Sequence, residues 1–171
     1  LALGTFYALS EDYRRARLMS FRRPFDFLTK EGYQLSQSLI AFDSGGLFGM
    51  GLGMGRQKYA FLPYPESDFI FAAIVEELGF LGGFLIILLF AFFLYHTWKT
   101  AKYASDLQGT LLASGIGAMF SFQAFENIAM NLGIMPVTGI TLPFLSYGGS
   151  SMLASMISCG FLLSVSAHQK L

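Results

Sequence analysis

The most constraining feature of the sequence is an apolar run from Leu78 to Trp98, which contains 21 residues and no Asp, Glu, Lys or Arg. At about 1.5 Å of rise per residue, an α-helix of this length covers roughly 30 Å, the thickness of the hydrocarbon core of a bilayer. Only 13% of the 171 residues are charged and 54% are hydrophobic, whereas a typical soluble domain carries about 25% charged residues. We therefore predict an all-α integral membrane protein.

The remaining apolar segments predict a polytopic helical bundle. Residues 1–10 are apolar but too short to span, so we expect them to be the end of a helix. The chain starts inside this apolar run without Met, so we expect the C-terminal part of a longer membrane protein, or one chain of a split one. The predicted helices cover residues 33–54, 69–98, 107–133 and 148–167, and the predicted loops cover residues 11–32, 55–68, 99–106 and 134–147.

Lysine and arginine are distributed unequally between the two sets of loops. Nine of the eleven lie on one side, mostly in loop 11–32, and only Arg56 and Lys58 lie on the other. Cytoplasmic loops of membrane proteins carry an excess of these residues, so loops 55–68 and 134–147 are predicted to be extracytoplasmic. This topology explains the basic loop better than a nucleic-acid patch does, and we expect no nucleic-acid partner.

The predicted helix 33–54 is rich in glycine in its second half. Gly45, Gly49 and Gly53 recur every four residues, a spacing of small residues that lets helix backbones approach closely. A phosphate-binding glycine loop is the alternative, but no strand–loop–helix frame and no Lys-Ser/Thr pair accompany these glycines. The pattern favours close helix packing or a kinked outer end of the helix.

The second half of the predicted helix 107–133 carries a group of larger polar side chains. These side chains lie at offsets of three, four and eight residues, so they share one face. Ionisable groups at membrane depth usually face a bundle interior or a water-filled cavity, which leaves two interpretations: hydrogen bonds between helices, or the lining of a substrate cavity. The polar face consists of Gln123, Glu126, Asn127 and Asn131.

Loop 134–147 contains Pro136, Gly139 and Pro143 and no charged residue. The prolines exclude a continuous helix. Irregular backbone is tolerated at membrane depth only where it is buried in protein or lines a cavity. We therefore expect this loop to dip into the outer interface or to pack on the bundle, on the same side as the polar face.

Asp68 lies where the polar loop 55–68 meets a membrane-length apolar segment, within the stretch FLPYPESDFIF. The residues alone leave two interpretations of this carboxylate. It could cap the N-terminus of the following helix, or it could be a partly desolvated general base. The neighbouring Glu76 and Glu77 are better explained as an interface cap or ion pair than as catalytic groups.

Three stretches are similar to the SEDS family (shape, elongation, division and sporulation), whose members include FtsW, SpoVE and RodA. They read GYQLSQSLIAFDSGGLFGMGLGMGRQK, FLPYPESDFIFAAIVEELGFLGG and NLGIMPVTGITLPFLSYGGSS. Their residues resemble FtsW and SpoVE more than RodA. The resemblance implies the C-terminal portion of a ten-helix SEDS fold, from the end of helix six to helix ten.

The same resemblance implies a peptidoglycan glycosyltransferase that polymerises lipid II during cell division or elongation. The active site would lie on the outer face of the bacterial cytoplasmic membrane. The family's catalytic Asp falls on Asp68, with Ser67 in place of the usual Thr. Tyr64 and Glu66 depart from the family motif. Expected partners are a class B penicillin-binding transpeptidase and other divisome or elongasome membrane proteins.

The implied chemistry assigns roles to several residues. Asp68 would act as general base on the acceptor sugar. Undecaprenyl pyrophosphate would leave, and a developing anion requires positive charge. Alternatively, Glu66 and Asp68 would share a divalent cation such as Mg²⁺ or Mn²⁺, which prefer oxygen ligands. The expected substrate-binding residues are Arg56, Lys58, Glu66, Gln123 and Asn127, with ordinary anchoring at the interface as the alternative for the two cations.

Two other classes of function compete with this one. A lipid II flippase or transporter would need polar residues along the whole depth of a helix, but residues 111–120 contain only Ser114 as a polar side chain. A non-catalytic membrane scaffold for a penicillin-binding protein would not need Asp68. Both features favour an enzyme with a site at one membrane surface.

Overall fold

A computed structural model of the chain describes residues 30–57 and 66–169, and in these ranges it is all-helical. The prediction of an all-α fold is therefore confirmed. Two of the described helices, α2 and α4, are long and apolar enough to cross a membrane. The described helices are α1 (Lys30–Gly45), α2 (Ile70–Lys102), α3 (Leu107–Asn131) and α4 (Gly149–Ala167).

The helix predicted for residues 33–54 is shorter than expected, because α1 ends at Gly45. The backbone φ angle is positive at four of the next glycines, which is a conformation that residues with a Cβ rarely adopt. The glycines therefore build an irregular loop instead of a helix-packing stripe. These four positions are Gly46, Gly49, Gly51 and Gly53.

This loop fills a break in α2. At Gly79 the backbone has φ 73° and ψ −173°, so the helix is interrupted there. The break leaves helical carbonyl and N–H groups without their usual partners, and the loop supplies replacements. Met50 N and Gly51 N donate to the carbonyl oxygens of Glu76 and Glu77, and Phe80 N and Leu81 N donate to those of Gly46 and Leu47, at 2.8–3.3 Å. Irregular backbone can therefore lie here without unsatisfied polar groups.

The break divides α2 into a short N-terminal segment and a longer segment of membrane-spanning length. Residues 80–102 continue the helix for about 35 Å at 1.5 Å per residue, enough for one membrane crossing. Residues 70–78 form a short segment that carries the beginning of the helix. Around it lies a buried cluster of Leu35, Phe69, Met130 and Val137, which joins α1, α3 and the loop after α3. This cluster fixes the position of the α2 N-terminus.

The loop between α3 and α4 packs on the bundle. Ser146 Oγ accepts a hydrogen bond from Leu142 N at 2.7 Å, and Phe144, with φ 65°, packs against the aromatic rings of Phe93 and Phe120. Tyr147 N donates to the carbonyl oxygen of Glu66 at 2.7 Å. The loop is thus fastened both to the helices and to the chain that leads into α2.

Candidate catalytic site

Asp68 lies two residues before α2 and is half-buried. Phe69, and not Asp68, occupies the N-cap position of α2, and the Phe69 side chain makes no cap hydrogen bond. The interpretation of Asp68 as a helix cap is therefore not supported. Its Oδ2 would lie 3.7 Å from a Cβ added to Gly139, so the carboxylate faces the α3–α4 loop near this glycine.

Two asparagines of α3 hold the backbone of Asp68. The Nδ2 atoms of Asn127 and Asn131 each donate to the carbonyl oxygen of Asp68 at 3.0 Å. Asn127 Nδ2 also donates to the carbonyl oxygen of Ile140 at 2.7 Å. Both asparagines are completely buried. The polar face of α3 is thus directed, at these two positions, at the start of α2 and at the following loop.

Asn131 also completes the first turn of α2. Its Oδ1 accepts a hydrogen bond from Ala72 N at 3.2 Å. The first N–H groups of a helix have no partner within the helix, so Asn131 caps α2 from a neighbouring helix. Ser38 Oγ of α1 donates to the carbonyl oxygen of Asn131 at 2.8 Å. Three helices therefore meet at this one residue, through its side chain and its backbone carbonyl.

Arg56 is placed by a buried carboxylate. Glu76, which is 1% exposed, accepts hydrogen bonds at Oε1 from Arg56 N at 2.9 Å and Gln57 N at 3.2 Å. The guanidinium side of Arg56 is exposed. Glu76 follows Asp68 by eight residues, or about 12 Å along a helix. Glu76 therefore holds the Arg56 loop by its backbone, and its expected role as an interface cap or ion pair stays a prediction.

The other predicted site residues have different surroundings. Glu66 has an exposed side chain, and Gln123 is half-buried on the face of α3 that bears Asn127. Lys58 lies outside the described residues. Asn127 uses both N–H groups of its amide on backbone carbonyls, which leaves none for a ligand. The N–H groups of this side chain therefore position the backbone of Asp68 and Ile140 and do not contact substrate.

The residues expected to hold a divalent cation provide few ligands. Within residues 30–57 and 66–169 there is no group of three or more His, Cys, Asp or Glu side chains that could hold a metal ion. Glu66 and Asp68 could contribute two carboxylates. A cation at this position would need further ligands from elsewhere in the protein or from the substrate.

Sequence reasoning identified Asp68 and the asparagines but missed their supports. Ser38, Gly139 and Glu76 all contribute to the site, yet none carries a recognisable pattern for this role. The spacing of Asn127 and Asn131 did indicate a shared face. What they bind, the backbone of Asp68 and of Ile140, becomes visible only when the helices are packed.

The arrangement suits proton abstraction. A half-buried carboxylate on a fixed backbone can accept a proton from a hydroxyl group brought next to it. The glycine beside it leaves room for close approach. An exposed cation lies one loop away, where it could meet an anionic leaving group.

Comparison with known proteins places this chain in a family. The family model described as "Cell cycle protein", which covers FtsW, RodA and SpoVE, matches residues 1–171. The chain is 49% identical over 162 residues to stage V sporulation protein E of Bacillus subtilis, covering 95% of this chain and 44% of that protein. It is 45% identical over 161 residues to a probable peptidoglycan glycosyltransferase FtsW of Thioalkalivibrio sulfidiphilus, covering 92% of this chain and 40% of that protein.

A solved structure of a peptidoglycan synthase complex, described as coordinating polymerization and crosslinking, has the same fold. It matches with a TM-score of 0.72 and 28% identity, over 99% of this chain and 46% of that chain. This chain thus spans less than half the length of the relatives it matches. The chain belongs to the FtsW/RodA/SpoVE family of cell cycle proteins, the SEDS family of membrane proteins that its motifs indicate.

Proposed function

We propose that the protein containing this chain is a peptidoglycan glycosyltransferase that polymerises lipid II. The observation that carries the proposal is the half-buried carboxylate of Asp68, held on a backbone that two buried asparagines fix. Relatives named as peptidoglycan glycosyltransferases support it. A transport path through α3 is less well supported, because the buried residues in its first half, Gly109, Ala113, Ile116 and Phe120, are all apolar.

In this reaction Asp68 takes the proton from the 4-hydroxyl of the acceptor GlcNAc. The oxygen attacks the anomeric carbon of the undecaprenyl-linked donor as the bond from that carbon to the pyrophosphate oxygen breaks. The configuration inverts from α to β, and undecaprenyl pyrophosphate leaves with the bonding electron pair. The proton passes from Asp68 to water before the next cycle.

Arg56 is the described residue best placed to stabilise the leaving pyrophosphate. Glu76 holds its backbone, so the exposed guanidinium extends from a fixed point. Lys58, Glu66 and Gln123 complete the proposed substrate-binding set. A Mg²⁺ or Mn²⁺ ion bound by Glu66 and Asp68 would neutralise the same phosphate charge.

The proposed site faces the outside of the cytoplasmic membrane, where lipid II is polymerised. The proposed protein partner is a class B penicillin-binding transpeptidase, which would crosslink the strands that this protein makes. The match to a complex that coordinates polymerization and crosslinking supports such a partner. Other divisome or elongasome membrane proteins would join this assembly.

The test is the variant Asp68→Asn in the full-length protein, purified and assayed with lipid II. General base catalysis typically contributes about 10²–10⁴-fold, so we expect the polymerisation rate to fall at least 100-fold. Asp106→Asn is the matched control and should retain the wild-type rate, because Asp106 lies at the opposite end of α3 and an Asn oxygen can keep its cap on Gly109 N. A near wild-type rate for Asp68→Asn would refute the base assignment. Repeating the assay with EDTA tests the cation.

A further inference from the structure

We infer that Asn131 and Asn127 are positioning residues that keep Asp68 out of helix α2 and thereby aim its carboxylate. The inference rests on the proposed function of Asp68 as the general base. It concerns how the base is held, and it assigns these two amides a role in the rate of the reaction and none in substrate binding.

The first step in the argument is the place of the Asn131 carboxamide. In a regular helix the N–H of residue 72 would donate to the carbonyl of residue 68. Here Ala72 N donates to Asn131 Oδ1, and the carbonyl of Asp68 accepts from Asn131 Nδ2. The carboxamide is thus inserted between two groups that would otherwise pair. The regular bonding of α2 begins one residue later, with Ala73 N donating to the carbonyl of Phe69 at 3.1 Å.

The insertion determines the conformation of Asp68. If the helix extended by one residue, the pairing of Ala72 N–H with the Asp68 carbonyl would make Asp68 the N-cap residue and turn its carboxylate toward the first N–H groups of α2. Because Ala72 N–H can only donate, Oδ1 must face it, so the orientation of the amide is fixed. Asn131 therefore acts as a wedge, and the wedge itself is held by Ser38 through its carbonyl.

Asn127 connects the backbone of Asp68 to the α3–α4 loop. It joins the carbonyl of Asp68 to that of Ile140, which follows Gly139 directly. Asn131 Nδ2 also lies within 3.2 Å of Asn127 Oδ1. The backbone of Asp68 and the loop that its carboxylate faces are thus tied to the same amide. No water competes for these bonds, since both asparagines are 0% exposed.

A purely structural role makes a different prediction from a positioning role. Removing the wedge allows Ala72 and Asp68 to pair directly, so part of the lost hydrogen bonding is recovered within α2. The folded protein should then remain, while the carboxylate is misdirected. A displacement of about 1 Å in a reacting group can cost about 100-fold in rate. Activity should therefore fall much more than stability does.

The experiment measures lipid II polymerisation by full-length Asn131→Ala and Asn127→Ala, with rates normalised to the folded fraction from thermal unfolding. We expect kcat to fall at least tenfold while KM for lipid II stays within twofold. The double variant should lose little more than the stronger single one, because both amides act on one carbonyl. Thr97→Val is the control: Thr97 is also buried in α2, but its hydroxyl donates to the carbonyl oxygen of Phe93 in its own helix.

The outcomes separate this inference from the proposed function. A normal kcat in folded Asn131→Ala and Asn127→Ala, together with an inactive Asp68→Asn, would overturn the positioning role and leave the base in place. A raised KM with unchanged kcat would assign the asparagines to substrate binding instead. If Asn131→Ala does not fold, Asn127→Ala alone decides, since it removes the tie without opening the first turn of α2. An active Asp68→Asn would overturn the proposed function itself.

Discussion

Glu76 illustrates how a single buried side chain can organise a loop in this protein. Its carboxylate receives the backbone N–H groups of Arg56 and Gln57, and Gly55 packs so closely that an added Cβ would lie 2.9 Å from Glu76 Oε2. A buried carboxylate is expensive unless its oxygens are paired. The loop is therefore bound to this carboxylate, and the position of Arg56 depends on it.

We predict that Glu76→Gln lowers the stability of the full-length protein by about 1–3 kcal/mol, because charge-assisted hydrogen bonds to the loop are lost. Thermal unfolding of the purified protein measures the change. The same variant should raise KM for lipid II, since Arg56 is no longer fixed. Asp106→Asn, at the N-cap of α3 where Asn caps as well as Asp, should change neither quantity. Unaltered unfolding of Glu76→Gln would show that the carboxylate does not hold the loop.

At the scale of single residues, sequence patterns indicated the candidate positions better than the contacts between them. The position of Asp68 at a loop–helix junction is a local property, and so is the four-residue spacing of Asn127 and Asn131. Their partners are not local: Asp68 and Asn131 lie 63 residues apart. Glu126, the intervening member of the same polar face, has an Oε2 atom that is buried and accepts no hydrogen bond from the described residues. Polar spacing alone does not distinguish these two situations.

Among the elements, the junction of the glycine loop with α2 depends on backbone contact. A Cβ on Gly79 would lie 2.4 Å from Gly49 N and Leu47 O, and a Cβ on Gly49 would lie 2.1 Å from the carbonyl oxygen of Glu77. These neighbours are backbone atoms, which cannot move aside as a flexible side chain can. Both glycines also have positive φ. Glycine is therefore required at both positions.

We predict that Gly79→Ala and Gly49→Ala each destabilise the protein severely, with a loss of folded protein in detergent or a large drop in the unfolding temperature. Strain at the positive φ and the backbone clash act together. Gly115→Ala in α3 is the matched control, because an added Cβ there meets no atom of the described residues within 4 Å. It should be neutral or stabilise by about 0.5–1 kcal/mol. Equal unfolding temperatures for Gly79→Ala and Gly115→Ala would contradict the required contact.

Helix α1 shows why this junction could not be predicted. Glycines every four residues match both a helix-packing stripe and an irregular loop, and only the partner distinguishes them. The partner is the break at Gly79, which lies inside an apolar run and carries no helix-ending signal such as proline. By contrast, α3 was predicted within two residues, because a polar loop precedes it and Gly133 and Pro136 follow it.

For the whole molecule, the charges at its two ends indicate which end faces the cytoplasm. Lys102 Nζ lies 5.4 Å from the ring centroid of Trp98 and 5.6 Å from that of Tyr103. Such aromatic and basic groups are typical of a membrane interface, and basic residues favour the cytoplasmic side. The α3–α4 loop follows the opposite end of α3. This helix has 25 residues and is therefore about 37 Å long.

We predict that Thr138 is accessible from outside the cell and Ser105 from the cytoplasm. Cys159 is the single cysteine of these 171 residues, so Cys159→Ser, combined with replacement of any cysteine in the rest of the full-length protein, provides the background. In it, Thr138→Cys and Ser105→Cys, both at exposed positions, are labelled separately. In spheroplasts a membrane-impermeant maleimide should label only Thr138→Cys, and permeabilised membranes should label both.

The labelling result bears on the mechanism as well as on topology. Thr138 precedes Gly139, which lies near the Asp68 carboxylate, so the side on which Thr138 is labelled is also the side of the proposed base. Labelling of Ser105→Cys alone in spheroplasts would place Asp68 at the cytoplasmic surface. A general base there could not act on lipid II exposed at the outer face. The glycosyl transfer proposed for Asp68 therefore requires that the impermeant maleimide label Thr138→Cys in intact spheroplasts.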